Sequence, residues 1–222
     1  MEDARREAPA VARNREPILA LLGAVLPAAG LVLEVASGSG EHALALARAF
    51  PGLTIQPSDP DAEARASIDA WGRGQPNMRP ALALEAAGAW PALRDSSNQP
   101  ALRDSSNQSA LRDSSNQPAL RADAILCINM IHIAPWAATL GLLRGAARSL
   151  TPGGVLYLYG PYRVAGAMAE SNREFDADLR QRNPDWGVRD LEAVVAAATG
   201  FAPPEVTAMP ANNLSLVFRR LG

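Results

Sequence analysis

The 222-residue chain contains no lysine: its 21 basic side chains are all arginine. That absence excludes lysine Schiff-base chemistry, a phosphate loop built on Gly-Lys-Ser/Thr, and any Tyr-x-x-x-Lys catalytic pair. Cys127 is the one cysteine, so neither an internal disulfide nor a thiolate metal cluster can form. His42 and His132 are the two histidines, too few for a histidine-rich site. The acidic residues show no clustering of the magnesium-binding kind, and no metal is expected. Charge is sparse, with 20% of residues charged and a net charge of −2. Proteins that work on phosphate backbones or anionic lipid usually carry a basic face, so neither nucleic acid nor membrane is expected as a partner. The uncharged stretch at residues 17–33 is broken by Pro27 and Gly30 and is short for a span of about 20 residues. The N-terminus lacks the basic-then-apolar order of a signal peptide, and a cytoplasmic location is expected.

What is present is apolar. Hydrophobic residues make up 48% of the chain, enough for one domain over residues 1–222 with a sizeable core. One segment breaks the pattern. Pro91-Ala-Leu-Arg-Asp-Ser-Ser-Asn-Gln99 recurs at residues 100–108 and 109–117, with Ser109 replacing the leading Pro, and residues 118–121 begin a further copy. Each copy offers one Leu and one Ala, too little apolar surface to offset ordering entropy of roughly 1–2 kcal/mol per residue. Residues 91–117 are therefore expected to be an inserted tandem-repeat loop, polar and mobile, with a recognition loop or lid as the alternative.

Elsewhere strand and helix patterns alternate. A helix is predicted from Pro17 through Val25, taking Pro17 as a first-turn residue. Leu31–Val35 and Ala124–Met130 read as buried strands, the second apolar almost throughout as a central parallel strand should be. Further strands are expected at Leu53–Pro57, Ala81–Leu84 (weakly), Val155–Tyr159, Glu205–Met209 and Leu214–Phe218, with helices between them. The fold class is α/β: a Rossmann-like, seven-stranded, mostly parallel sheet with helices on both faces and a C-terminal antiparallel hairpin.

In such a sheet ligands bind beyond the carboxyl ends of the strands. The first strand delivers Glu34-Val-Ala-Ser-Gly38-Ser-Gly40, whose glycines allow close backbone approach ahead of a helix N-terminus. Glu34 would repel a pyrophosphate and welcome a cation. Asp59 stands 19 residues past Gly40, where a carboxylate can accept hydrogen bonds from both ribose hydroxyls. Ser149-Leu-Thr-Pro-Gly-Gly154 adds a turn ahead of a later strand. His132 lies just past the Ala124–Met130 strand, with the unperturbed pKa of a usable base; the plainer alternative is a histidine capping the strand. Tyr159 and Tyr162 flank Gly160-Pro161, suited to binding an acceptor or boxing a methyl group, or else half-buried and satisfied. The mixed-charge stretch Glu170–Asp190, with Phe175 and Trp186, reads as a solvated helix or as a substrate cover.

These residues resemble the class I methyltransferases and, more closely, the methyltransferase-like 26 family. The resemblance rests on Pro9–Asn14, Glu34–His42, Gln56–Pro60, Ile128–Trp136, Tyr159–Tyr162 and Ser171 through Asp190, nearly the whole chain outside the repeat. It implies S-adenosylmethionine as cofactor, lined by Glu34, Gly38, Gly40 and Asp59. It places Glu85 at the adenine amino group and Asn129 or Met130 beside the ring. Arg13 and Asn14 would fold back over the cofactor, or merely cap their helix. Ala36 departs from the pattern, standing where many methyltransferases have glycine. The expected activity is methyl transfer to a small molecule, a protein acceptor staying open and the oligomeric state unspecified. Two other classes compete: an NAD(P)-dependent oxidoreductase, because Gly38-Ser-Gly40-Glu-His-Ala43 also fits Gly-x-Gly-x-x-Ala, and a catalytically silent binding protein on the same fold.

Overall fold

The computed structural model describes residues 3–90 and 121–222. The repeat at 91–117 lies outside the described residues.

Helix α1 spans Pro9–Val25 and starts eight residues earlier than the sequence pattern suggested. Pro9 is the first-turn proline, and Pro17 sits inside the helix. The helix runs past it because Val11, Asn14, Ile18 and Leu22 form one buried stripe, and tertiary burial outweighs the missing backbone bond. Strand β1 (Gly30–Val35), helix α2 (Glu41–Ala49), strand β2 (Leu53–Ser58) and helix α3 (Ala62–Gly72) follow. After the undescribed segment come β3 (Ala122–Ile128), a 3-10 turn at Met130–His132, α4 (Trp136–Ser149) and the long β4 (Leu150–Arg163). The chain ends with α5 (Glu170–Arg182), β5 (Arg189–Asp190), α6 (Leu191–Ala197), β6 (Glu205–Met209) and β7 (Asn213–Arg219).

The seven strands form one sheet in the order β2-β1-β3-β4-β7-β6, with the two-residue β5 beside the end of β4. Strands β2, β1, β3 and β4 run parallel. Strand β7 is antiparallel to β4 and to β6, which gives the expected C-terminal hairpin. The strand expected at Ala81–Leu84 is reduced to single bridges, Ile55 with Met78 and Ser58 with Leu82. Pro57 and Pro80 remove the donors a regular ladder would need there, so the segment follows the edge of β2 without becoming a strand.

Side-chain alternation splits the core into two layers. Leu33, Ile125, Leu156 and Phe218 pack against Leu142 and Leu143 of α4 and Val194 of α6. On the opposite face Val32, Leu126, Tyr157 and Val217 pack against Ile18 and Leu22 of α1, Leu46 of α2 and Ile68 of α3. Each fully buried leucine or isoleucine contributes about 1.5–3 kcal/mol of transfer free energy. The carboxyl ends of β1, β3 and β4 emerge together from this double layer, and the site is built there. Among the described residues, no helix is long and apolar enough to cross a membrane.

Candidate functional site

A cavity of about 550 Å³ opens at the carboxyl edge of the sheet. Its walls include Ala36 after β1, Asp59 after β2, Glu85, Met130 and Ile133 after β3, and Trp186 from the segment ahead of β5. Four residues singled out by sequence thus meet in one place: Ala36, Asp59, Glu85 and Met130. The rest of the wall is apolar or small, and no arginine or histidine is among its described lining residues.

The Gly-rich turn is shaped by backbone needs. Gly40 takes φ 93° as the N-cap of α2, and a Cβ there would stand 2.7 Å from the Cα of Ile68. Only glycine lets α2 and α3 approach this closely. Gly38 has φ 57° and would meet nothing within 4 Å, so its face of the turn is open. Ala36 adopts φ 57°, the left-handed conformation that favours glycine, with its methyl group kept. It thus holds the glycine-like geometry despite the substitution, at a cost of about 1 kcal/mol.

Asp59 is buried and fixed from both sides: Oδ2 accepts the Gly38 N–H at 3.0 Å and Oδ1 the Asp61 N–H at 3.0 Å. Each oxygen keeps a lone pair for a ligand hydroxyl. Glu85 is exposed, its Oε1 accepting the Ala87 N–H at 3.3 Å. Glu34 does not line the cavity. It points into the α1-side layer beneath the turn, 2% exposed, with Oε2 lacking any partner among the described residues. Burial raises its pKa to about 7, helped by the nearby Asp59 charge and opposed by a bond from Ser37. The electrostatic bias of the cavity wall therefore comes from Asp59 and Glu85. Asn129 takes the left-handed φ 63° at the end of β3 and donates its backbone N–H to the Tyr159 carbonyl at 2.8 Å. Arg13 is exposed and Asn14 buried on α1, and neither lines the cavity.

His132 is 1% exposed, and both ring nitrogens lack partners among the described residues. The capping bonds considered from sequence are not made by its ring. Its imidazole packs so tightly against β4 that a Cβ on Gly160 would lie 2.3 Å from Nε2. Desolvation, with Arg189 nearby, lowers its pKa to about 3, which keeps the ring neutral but weakly basic. Tyr159 and Tyr162 cannot jointly box one methyl group. An odd spacing on a strand sends them to opposite faces, and they pack in opposite core layers. Tyr162 meets the His132 ring edge to face at 5.2 Å. Among the described residues, no group of three or more His, Cys, Asp or Glu gathers to hold a metal.

Arg189 escaped the sequence reading. Its guanidinium donates to the carbonyls of Ile131 (2.8 Å), Asp185 (2.9 Å) and Ala134, and lies 5.9 Å over the Trp136 ring. The Gly187 N–H donates to the His132 carbonyl at 2.9 Å. These bonds pin the Trp186 segment to the turn after β3 and complete the cavity wall. The sequence signal was only an arginine in a mixed-charge stretch, because two of its partners are backbone carbonyls 58 and 55 residues away.

A family profile described as "Protein of unknown function (DUF938)" matches residues 5–220. Among solved structures, an O-methyltransferase family protein from Burkholderia thailandensis superposes with TM-score 0.70 at 14% identity, covering 96% of this chain and 58% of that one. An O-methyltransferase described as putative from Nostoc punctiforme gives 0.68 at 14% identity, covering 93% and 56%. CalO1, a methyltransferase in calicheamicin biosynthesis bound to SAH, gives 0.62 at 19% identity, covering 89% and 51%. At these identities the likeness establishes the fold, the Rossmann-like sheet of methyltransferases. The chain spans little more than half the length of these neighbours.

Proposed function

We propose that this chain, which belongs to the DUF938 family, is an S-adenosylmethionine-dependent methyltransferase acting on a small molecule. One observation carries the reading: a cavity at the carboxyl edge of the sheet with two carboxylates, Asp59 and Glu85, and no cationic side chain in its described walls. Asp59 can hold a ribose in either cofactor class, but two carboxylates with no cation beside them suit a ligand of neutral hydroxyls with a positive centre better than a doubly anionic pyrophosphate. That weighs against the nicotinamide alternative. The methyltransferase names of the structural neighbours support the same direction. The stretches from Pro9–Asn14 to Asp190 support a closer kinship with the methyltransferase-like 26 family.

The residues fit the cofactor. When bound, S-adenosylmethionine supplies a methyl group made electrophilic by a sulfonium. Asp59, already oriented by two backbone N–H groups, would accept from the ribose hydroxyls. Glu85 would accept from the adenine amino group, with Met130 and Ile133 as apolar flanks to the ring. The open face at Gly38 would serve the methionine end, with Gly40 and Asn129 shaping the adjoining turns; contact from Glu34, Arg13 or Asn14 requires the turn and α1 to move, since none of them lines the cavity. Trp186 would exclude water, which strengthens electrostatic interactions inside the site. His132 holds a neutral imidazole between the cavity-lining Met130 and Ile133; a base role for it requires the turn to open, since its nitrogens are sealed.

Isothermal titration with S-adenosylhomocysteine tests the reading. Wild-type protein should bind saturably, and Asp59→Asn should lose affinity about tenfold, or 1.4 kcal/mol. No heat from a sample whose circular dichroism shows it folded would overturn the assignment. Saturable binding of NADH in its place would move it to the oxidoreductases.

A further inference from the structure

A second cleft lies on the same edge of the sheet, on the far side of His132 and Tyr162 from the cavity. It measures about 340 Å³ and is bounded by the end of β4, the start of α5 and the turn between β6 and β7. Tyr162 forms part of its floor, and Met168, Met209 and Leu214 are among its apolar walls. Val164 stands at its lip, 41% exposed. The two openings share no lining residue: His132 follows Met130 of the cavity wall, its ring packs on Tyr162 of the cleft, and this buried pair must move aside for in-line transfer between them.

The polar groups of this cleft set its chemistry. Asn172 is buried and its Nδ2 donates to the Asn212 carbonyl at 2.9 Å. Asn212 spends its own Nδ2 on the Ser171 hydroxyl at 3.0 Å. Each amide nitrogen spends one of its two N–H groups in these bonds, and each Oδ1 makes no hydrogen bond with a described residue and is left able to accept one. Among the described residues, no Asp, Glu, Arg or His lines the cleft. A charged ligand entering it would lose hydration and meet no counter-charge, which disfavours it. An apolar ligand with an O–H or N–H would bury its body against the methionines and give its proton to a carboxamide oxygen.

We propose that this cleft is the acceptor site, and that the acceptor is a neutral, mainly apolar molecule bearing an O–H or N–H donor. The proposal rests on the methyltransferase reading and adds to it where the acceptor enters and what charge it carries. Two sites thus divide the recognition, a carboxylate-walled cavity for the cofactor and an uncharged cleft for the acceptor.

Methionine methyl groups make the division measurable. Met130 lines the cavity, whereas Met168 and Met209 line the cleft. Protein labelled with 13C at the methionine methyls is titrated separately with S-adenosylhomocysteine, 2-naphthol and 2-naphthoate. The expected result is that S-adenosylhomocysteine shifts Met130, that 2-naphthol shifts Met168 and Met209, and that 2-naphthoate binds at least tenfold more weakly than 2-naphthol. Ala167→Trp, a change at an exposed cleft residue, should abolish the 2-naphthol shifts and leave the Met130 response intact. The proposal is overturned if 2-naphthol shifts only Met130 or nothing, if the naphthoate binds equally well, or if Ala167→Trp leaves 2-naphthol binding unchanged. Failure of S-adenosylhomocysteine to move Met130 would instead strike the cofactor reading, so the two failures are told apart.

Discussion

The lower and upper halves of the sheet obey different rules. In the lower half Val32, Leu33, Ile125 and Leu156 are fully buried. At the boundary between the two halves one polar pair is satisfied, with the Tyr157 and Ser215 hydroxyls 2.7 Å apart. At the carboxyl rim, Glu34, His132, Thr139, Tyr159 and Tyr162 each bury a polar atom that has no partner among the described residues. Ala36 and Asn129 hold left-handed backbone at the same rim. Each unpaired group costs about 1–3 kcal/mol, and each strained residue about 1–3 kcal/mol. A fold tolerates such costs where they serve a ligand, and the stability that carries them comes from the layers below. Destabilisation of the rim and stabilisation of the base are two sides of one design.

The contrast breaks most visibly in the core. Leu126→Ala, in the central strand, should lose about 2–5 kcal/mol of unfolding free energy. Tyr162→Phe, which deletes an unpartnered hydroxyl at equal burial, should cost nothing or add up to about 1 kcal/mol. Urea unfolding followed by tryptophan fluorescence compares the two. A large loss on Tyr162→Phe would mean that its hydroxyl is satisfied and that the rim is not a region of stored cost.

The next effect in size depends on pH. The Glu34 pKa is raised from 4.5 to about 7 by burial. Folding therefore holds its proton where the unfolded chain has released it, and its stabilisation is complete below about pH 4.5 and is lost as pH rises through 7. His42 and His132 work in the opposite sense. Their pKa values fall to about 4 and about 3, so their contribution is present above pH 6.5 and lost as pH falls. Comparing wild type with Glu34→Gln cancels the histidines, which are common to both. The stability of wild type relative to that variant should fall by about 3 kcal/mol between pH 4 and pH 8, because a tenfold change in proton affinity between folded and unfolded chain is worth about 1.4 kcal/mol. A flat difference would show that Glu34 is solvated or paired in solution.

The base of the molecule was largely legible in its sequence and the rim was not, for a physical reason. Continuous apolar runs at Leu31–Val35 and around Ile125 announce buried parallel strands because burial on both faces leaves no room for polar alternation. The β6–β7 hairpin was readable from two short strands a few residues apart. The start of α1 was missed because a proline reads locally as a boundary, whereas the stripe Val11, Asn14, Ile18, Leu22 overrides it only in the presence of the sheet. Asp59 could be placed near the Gly-rich turn that holds Ala36 from motif spacing, since the topology of a doubly wound sheet brings loop starts together, whereas Glu85 and Met130 were placed by the resemblance to methyltransferases. The sealing of His132, the opposite faces of the two tyrosines and the Arg189 clamp depend on strand length and on distant carbonyls. Neither is written in a local pattern.

Ala36 is the smallest and most discriminating place to press the comparison, since it carries a rim cost with no polar group involved. At φ 57° an alanine gives up about 1 kcal/mol that glycine would not. Ala36→Gly relieves that strain but adds about 0.5–1 kcal/mol of unfolded-chain entropy. The two nearly cancel, so thermal denaturation should place the variant within about 0.5 kcal/mol of wild type. Binding should still respond. Ala36 lines the cavity, and removing its methyl group leaves Asp59 and Glu85 in place. Affinity for S-adenosylhomocysteine should therefore hold or rise slightly, by no more than about the tenfold that 1.4 kcal/mol represents. If affinity instead falls while stability is unchanged, the methyl group is a contact surface for the ligand, and the left-handed alanine is there to present it.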